Sequence, residues 1–268
     1  MSRARVGEVE LTYEVHGRGP RLLLVSGTGG DLRDRPGIFD GPLVDSFEIA
    51  AYDQRGLGRS SVPPGPYTMA DYAEDAAGLL DVLSWDDALV MGISFGGMVA
   101  QELALRHPAR VRRLVLACTS SGGAGGSSYP LHELAALPAQ TRLRRQLELT
   151  DTRFDAAWRA ANPEAWASLL RLMEARGAAG RDEPGRAEGA ARQLEARRHH
   201  DTWDRLGRIT SPTLVCAGRY DAIAPPANAE HLASAIGGAR LELFEGGHLF
   251  LLQDPTAWPA IRAFLLSA

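Results

Sequence analysis

A serine between glycines, at residues 92–97, is the side chain best suited to nucleophilic chemistry. The stretch reads Gly92-Ile93-Ser94-Phe95-Gly96-Gly97. Acyl transfer needs an exposed, strongly nucleophilic oxygen beside backbone N–H donors, and a serine on a sharp turn from strand to helix supplies both. Such a turn crowds the residues two before and two after the serine, and glycine relieves that crowding because it has no Cβ. The pattern predicts Ser94 as the nucleophile.

A general base and an acid that orients it follow later in the chain. Asp221 and His248 each end a short loop that follows a run of apolar residues. A histidine can take the serine proton and return it to the leaving group, while a buried aspartate fixes the histidine tautomer and stabilises the imidazolium. Nucleophile, acid and histidine therefore occur in the order expected for a triad on an α/β sheet. Glu245 is a rival for the acid, but Asp221 has the better position at a strand end.

Two backbone amides are expected to stabilise the negative charge that develops during acyl transfer. One is the amide of Phe95, directly after the nucleophile. The other comes from a loop after an early strand, and here Ser26-Gly27-Thr28-Gly29-Gly30 follows an apolar run. The sequence therefore predicts an oxyanion hole made by the backbone amides of Thr28 and Phe95.

The elements that must position these groups are short apolar runs bounded by Gly, Asp or Ser. Runs this short and continuous favour strands buried on both faces, as in parallel sheets. Residues 6–15 instead alternate apolar and polar side chains, which indicates a half-exposed strand or a hairpin. The runs are residues 22–25, 47–52, 88–91, 111–117, 213–217 and 241–244.

Helical patterns alternate with these runs. Residues 69–83 carry apolar side chains at helical spacing and follow Thr68, which with Asp71 predicts a capped start. Phe95–Arg106 continues from the nucleophile. Asp254-Pro255 predicts the start of a C-terminal helix, with the proline at its first position. Strands that alternate with helices predict an α/β fold, with a mostly parallel sheet and helices on both faces.

One long segment lacks the alternation. Residues 121–206 contain no clear strand pattern, show amphipathic helical patterns with three tryptophans, and begin in a Gly/Ser-rich stretch at 120–128. We expect a core domain in two parts, residues 1–120 and 207–268, with a helical lid at 121–206 between them. The alternative is a helical elaboration with no gating role. Its tryptophans, Trp158, Trp166 and Trp203, are expected to anchor helices more often than to line a substrate site.

Composition excludes several classes of function. The 268 residues carry a net charge of -4, and all 29 basic residues are arginine. Nucleic-acid binding is therefore not expected, and a phosphate-loop lysine or a Ser-Lys dyad is excluded. The first residues have no apolar core of signal-peptide length, and no apolar run near them is long enough to span a membrane. Two cysteines without metal-type spacing are expected to be buried thiols. We expect a cytoplasmic protein without a metal ion.

These motifs together resemble the α/β-hydrolase superfamily, over all of the chain except the predicted lid. The stretch Asp53-Gln54-Arg55-Gly56-Leu57-Gly58-Arg59-Ser60 fits a turn of that family, where it is structural. The resemblance implies an eight-stranded type of sheet. Ser26 departs from it, since many members have histidine there. The residues around Ser94 are most similar to those of enol-lactonases and small-ester esterases.

The resemblance and the triad imply hydrolysis of a carboxylic ester or lactone through an acyl-Ser94 intermediate. The partner would be a small-molecule substrate, and no cofactor would be needed. Two alternatives remain at this stage. The same triad can cleave carbon–carbon bonds of the β-diketone type, and the fold can serve as a ligand-binding receptor with little turnover.

Overall fold

A mostly parallel sheet of eight strands forms the centre of the molecule. The computed structural model describes residues 1–175, 179–180 and 182–267. The strand order across the sheet is β1-β2-β4-β3-β5-β6-β7-β8, in which β3 to β8 run parallel to one another and β2 is antiparallel to both of its neighbours, β1 and β4. The strands are β1 (Ser2–Val6), β2 (Val9–His16), β3 (Arg21–Val25), β4 (Glu48–Tyr52), β5 (Ala88–Ile93), β6 (Val111–Ala117), β7 (Thr213–Gly218) and β8 (Arg240–Phe244).

The predicted strands are confirmed, with one difference in burial. Each apolar run forms a strand, and residues 6–15 lie in the antiparallel hairpin of β1 and β2. However, β8 is not buried on both faces, because it is the edge strand of the sheet. Its residue Leu241 is 36% exposed, and Phe244 is its one buried residue. A strand with a neighbour on one side only has less cover than a central strand.

Helices cover both faces of the sheet, as predicted. One face of the strands packs against α1 (Met69–Val82), α2 (Phe95–Arg106) and α8 (Pro226–Ala235). The other face packs against α9 (Phe250–Gln253) and α10 (Ala257–Leu266). Alternate residues of one strand point to opposite faces, so Leu23 of β3 lies in the first core and Leu24 in the second.

The predicted start of α1 is confirmed, whereas that of the C-terminal helix is two residues too early. Thr68 accepts a hydrogen bond from the Asp71 amide, and Asp71 accepts from that of Thr68. Asp254 instead accepts from the amide and the hydroxyl of Thr256 at 2.8 and 2.6 Å. Residues 255 and 256 therefore form a turn, and α10 begins at Ala257.

Among the residues that the structure describes between β6 and β7, five α-helices lie in the part predicted to form the lid. They are α3 (Leu131–Leu134), α4 (Ala139–Thr150), α5 (Ala156–Ala161), α6 (Pro163–Ala175) and α7 (Arg186–Arg198). We call residues 121–206 the helical segment; its described residues contain no strand. Trp166 is buried within it, and Trp203 packs against the main core. Both therefore anchor helices.

Both cysteines are buried and unpaired, as predicted. Cys118 directly follows β6 and Cys216 lies in β7, and burial raises the pKa of each thiol, so the reactive thiolate is disfavoured. No helix within the described residues is long and apolar enough to cross a membrane.

Candidate active site

Ser94 lies at the sharp turn between β5 and α2. Its backbone has φ 54° and ψ -115°, a conformation that non-glycine residues rarely adopt. A Cβ on Gly92 would collide with the backbone of Gly96 and Gly97, and one on Gly96 would collide with carbonyl oxygens at the end of β3. The glycines therefore permit the turn for the reason that the sequence suggested. Ser94 is 8% exposed, with its hydroxyl beyond the strand end.

The parallel register brings the predicted reactive side chains together. The ends of β5, β6, β7 and β8 lie side by side, since Ile93 pairs with Ala117, Ala117 with Cys216, and Gly218 with Phe244. The loops that follow these strands therefore meet at one edge of the sheet.

A continuous chain of hydrogen bonds connects Ser94, His248 and Asp221. The Nε2 atom of His248 lies 3.0 Å from the Ser94 Oγ, and its Nδ1 atom lies 2.7 Å from an Asp221 carboxylate oxygen. The other carboxylate oxygen accepts from the amides of Ile223 and Ala224 at 2.7 and 2.9 Å. Since a carboxylate can only accept, Nδ1 carries a proton and Nε2 is left to accept one from the serine. This geometry suits general-base activation of Ser94.

The structure places the rival carboxylate away from this chain. The Glu245 side chain is 62% exposed and pairs with Arg219 at 3.3 Å. Asp221 has a fully buried side chain in contact with the histidine. Asp221 therefore has the geometry of the orienting acid, and Glu245 does not.

The loop after β3 lies directly against Ser94. An ideal Cβ on Gly27 would be 3.4 Å from the Ser94 Cβ, so the backbone of this loop approaches the nucleophile closely. Gly30 donates its amide to the Gly27 carbonyl at 3.2 Å, which closes a turn with Thr28 and Gly29 at its centre. Phe95 is the first residue of α2, where amides lack a partner within the helix. Both predicted amide donors thus belong to backbone beside Ser94.

The predicted structural turn at residues 53–60 holds the loop after β3 in place by hydrogen bonds. Asp53 is fully buried and accepts from the amides of Leu32 and Arg59 at 2.7 and 2.9 Å. Burial raises the pKa of the Asp53 carboxyl to about 6. Arg55 forms a two-contact ion pair with the buried Asp75, at 2.6 and 2.8 Å. These contacts fit the structural role that was expected.

Three glutamines near the site were not singled out by sequence reasoning. Gln54 donates to the Ser26 carbonyl at 2.8 Å. Gln193 of α7 accepts from the Gly29 amide at 2.8 Å. Gln253 accepts from the amide of Gly247 and donates to Asp151, both at 2.8 Å. Gln54 lies in the turn at residues 53–60, where the sequence alone gave it no role, and no motif marks Gln193 or Gln253; contacts between distant parts of the chain reveal all three.

The end of α4 crosses over the loops that carry the acid and the histidine. The Thr150 carbonyl accepts from the His248 amide at 2.5 Å, and the Leu149 carbonyl accepts from the Ala222 amide at 3.1 Å. The Thr152 amide donates to the Tyr220 carbonyl at 2.8 Å. The helical segment is therefore attached to both loops by backbone contacts. Across the described residues, no group of three or more His, Cys, Asp and Glu side chains is arranged to hold a metal ion.

Known proteins are similar to this chain in architecture and in sequence. The family model of the alpha/beta hydrolase fold matches residues 20–255. A 3-oxoadipate enol-lactonase of Acinetobacter baylyi is 30% identical over 94% of this chain and 91% of that protein. A putative carbamate hydrolase of Variovorax paradoxus is 34% identical over 89% of each chain. The crystal structure of the enol-lactonase from Burkholderia xenovorans superposes with a TM-score of 0.79 at 26% identity, and covers 99% of this chain and 100% of that one. The chain belongs to the α/β-hydrolase family.

Proposed function

We propose that this protein hydrolyses a carboxylic ester or a lactone through a covalent acyl-Ser94 intermediate. The hydrogen-bonded chain from the Ser94 hydroxyl through His248 to the buried Asp221 carries this proposal. Its distances are those of a nucleophile, a general base and the acid that orients the base.

The reaction proceeds in two halves that reuse the same groups. The Ser94 Oγ attacks the substrate carbonyl while His248 Nε2 takes the hydroxyl proton, and the carbonyl oxygen becomes an oxyanion held by the amides of Thr28 and Phe95. The intermediate collapses, and His248 gives its proton to the departing alkoxide. In a lactone this alkoxide stays tethered to the acyl group. Water then attacks the acyl enzyme with the same assistance, and Ser94 is restored. No cofactor takes part.

The lactone half of the proposal is supported by similar proteins. An enol-lactonase is among the relatives with 30% identity, and another enol-lactonase has the same fold over the whole chain. Another relative, at 34% identity, is named as a putative carbamate hydrolase and not as a lactonase. The substrate panel must therefore be broader than lactones.

The helical segment is proposed to act as a lid. It is held to the loops of Asp221 and His248 by the end of α4 and to the loop after β3 by Gln193. The low exposure of Ser94, 8%, supports a cover over the site. A cover of this kind limits the access of water to the reacting bond and shapes the acyl site.

The first test compares the wild type with Ser94→Ala on p-nitrophenyl acetate, butyrate and octanoate and on a panel of lactones. Loss of the nucleophile should reduce kcat by about 10⁴ to 10⁶-fold. A fluorophosphonate probe should label Ser94 in the wild type and leave the variant unlabelled. The preferred acyl length then defines the size of the acyl site.

Three other outcomes would contradict the proposal. Wild-type activity in Ser94→Ala would remove Ser94 from the mechanism. A wild type inactive on all esters and lactones, but active on a β-diketone, would favour carbon–carbon hydrolysis with the same triad. A wild type that labels slowly and turns over none of these substrates would favour a ligand-binding receptor.

A further inference from the structure

We propose that Gln193 is a positioning residue for the oxyanion hole, acting from α7 on the turn that carries the Thr28 amide. This inference rests on the proposed function, because it assigns the support of one of its two oxyanion donors. The contact joins residues 164 positions apart and bridges the helical segment to the core.

The turn that Gln193 contacts has a conformation that needs support. Its central peptide joins Thr28 to Gly29, and Gly29 has a φ of +71°. Positive φ and the lack of a Cβ leave this peptide able to rotate at low cost. The N–H of that peptide donates to Gln193 Oε1 at 2.8 Å, which fixes the direction in which the peptide faces. A rotation would carry the neighbouring Thr28 amide away from Ser94.

Gln193 is itself held rigidly. Its side chain is fully buried in α7. The helix packs backbone to backbone against the core, since a Cβ on Gly189 would collide with Gly56. One turn further on, Arg192 donates to the Pro63 carbonyl at 2.6 Å. Because the Gln193 side chain and its helix are both fixed, the hydrogen bond from Gly29 fixes the position of the turn as well.

The turn is held from the core as well. Gln54 Nε2 donates to the Ser26 carbonyl at 2.8 Å and lies 3.2 Å from the Ser26 hydroxyl. Ser26 is thus held by the core and Gly29 by α7. The Thr28 amide lies between these two points. Removal of either contact should loosen it.

The chemistry of Gln193 argues against a role in packing alone. A backbone N–H can only donate, so the amide oxygen of Gln193 faces the turn and its Nε2 faces elsewhere. That Nε2 atom is buried and has no hydrogen-bond partner among the described residues. A buried donor without a partner is costly, and an apolar side chain of the same size would avoid the cost. The hydrogen bond from Gly29 therefore explains why an amide side chain, and not an apolar one, occupies this position.

Gln193→Met tests the proposal, since methionine has a similar length and cannot reproduce the amide oxygen. Displacement of one oxyanion donor should lower kcat by about 10 to 100-fold, with KM within about 3-fold. A trifluoromethyl ketone forms a tetrahedral adduct with its own oxyanion, so its inhibition constant should rise by the same factor as kcat falls. Inhibition by the carboxylic acid product should not change.

Gln101→Met is the matched control. Gln101 is also fully buried, and it joins the core to the helical segment by donating to the Ser120 carbonyl at 3.0 Å and accepting from the Thr202 hydroxyl at 2.6 Å. Neither of these hydrogen bonds involves the turn at residues 27–30. This variant should lose thermal stability to an extent similar to Gln193→Met, with kcat and inhibitor affinity within about 2-fold of wild type.

If Gln193→Met fails to fold, Gly29→Ala is a second variant that perturbs the same turn. A Cβ there meets nothing within 4 Å, but the positive φ is unfavourable for alanine, so the turn alone is perturbed. The same joint change in kcat and inhibitor affinity is expected. Wild-type values of both in folded Gln193→Met, or in Gly29→Ala, overturn the inference. A wild type without Ser94-dependent hydrolysis overturns the proposed function instead, so the two failures are distinguishable.

Discussion

The two sides of Ser94 are built in opposite ways. On the side of Asp221 and His248, the proposed reactive groups are side chains, and the end of α4 is attached to their loops mainly by backbone hydrogen bonds, with Gln253 as the one side chain described above that joins the Gly247 amide to Asp151. On the side of the loop after β3, the proposed reactive groups are backbone amides, and side chains of Gln54 and Gln193 hold them.

This difference determines where substitutions should act. Backbone contacts survive most changes of side chain. The residues at the end of α4 should therefore tolerate substitution, whereas Asp221 and His248 should not. On the oxyanion side the reactive amides are present whatever the side chain, and the supporting side chains become sensitive. Activity should therefore respond to different kinds of residue on the two sides.

After Ser94→Ala, the largest expected effect is that of Asp221→Asn, on the side where side chains react. The asparagine oxygen can keep the bonds from Ile223 and Ala224, which turns its NH₂ group toward His248. That donor stabilises the tautomer with the proton on Nε2, which cannot accept the Ser94 proton. We expect kcat to fall about 10⁴-fold with little change in thermal stability, measured on the best ester of the panel.

Glu245→Gln is the control for that experiment, since Glu245 is exposed and paired with Arg219. Its kcat should stay within about 2-fold of wild type. A larger loss in Glu245→Gln than in Asp221→Asn would assign the acid to Glu245 and contradict the contrast between the two sides.

The same contrast explains what the sequence could and could not predict. Ser94, Asp221 and His248 could be identified because each follows an apolar run that forms a strand, and parallel strands end at one edge. The sheet, the first helices and the position of the helical segment follow from local patterns of the same kind. Gln193 and Thr150 act through contacts with residues far away in the chain, and no local pattern records such a contact.

Two local predictions from the sequence were wrong for the same reason, which is that contacts with distant parts of the chain decided the outcome. The apolar content of β8 suggested burial on both faces, but its place at the edge of the sheet is set by the topology and not by its own residues. Asp254 was expected to cap a helix directly, but its carboxylate also accepts from the Glu245 amide at 2.8 Å. That contact ties residue 254 to the loop before His248, and the helix starts after the turn.

Asp53→Asn should reveal that Asp53, on the side of the proposed oxyanion hole, makes a pH-dependent contribution to the free energy of unfolding. The folded pKa of Asp53 is raised by burial to about 6, so the folded state binds more protons than the unfolded state between the two pKa values. The free energy of unfolding that Asp53 contributes is thus greatest below pH 4 and falls as pH rises toward 6. Relative to Asp53→Asn, the wild type should lose about 2 to 3 kcal/mol between pH 4 and pH 7.

The measurement is urea unfolding of both proteins at several pH values, taken as the difference between them so that other titrating groups cancel. Asp86→Asn, at an exposed position, provides the control and should track the wild type at every pH. A difference that stayed constant from pH 4 to pH 7 would show that Asp53 does not carry the raised pKa.

The smallest expected effect is that of Thr150→Val, on the side where backbone hydrogen bonds attach the end of α4 to the loops of Asp221 and His248. Thr150 is buried, and its carbonyl accepts from the His248 amide, a contact that valine keeps. The hydroxyl donates to the Leu147 carbonyl at 2.7 Å, and valine loses this bond at a cost of about 1 kcal/mol in the free energy of unfolding. We expect kcat within about 2-fold of wild type, because the backbone that positions His248 does not depend on the hydroxyl. If a folded Thr150→Val lost 10-fold or more in kcat, like Gln193→Met, both sides of the site would depend on supporting side chains, and the contrast between them would be lost.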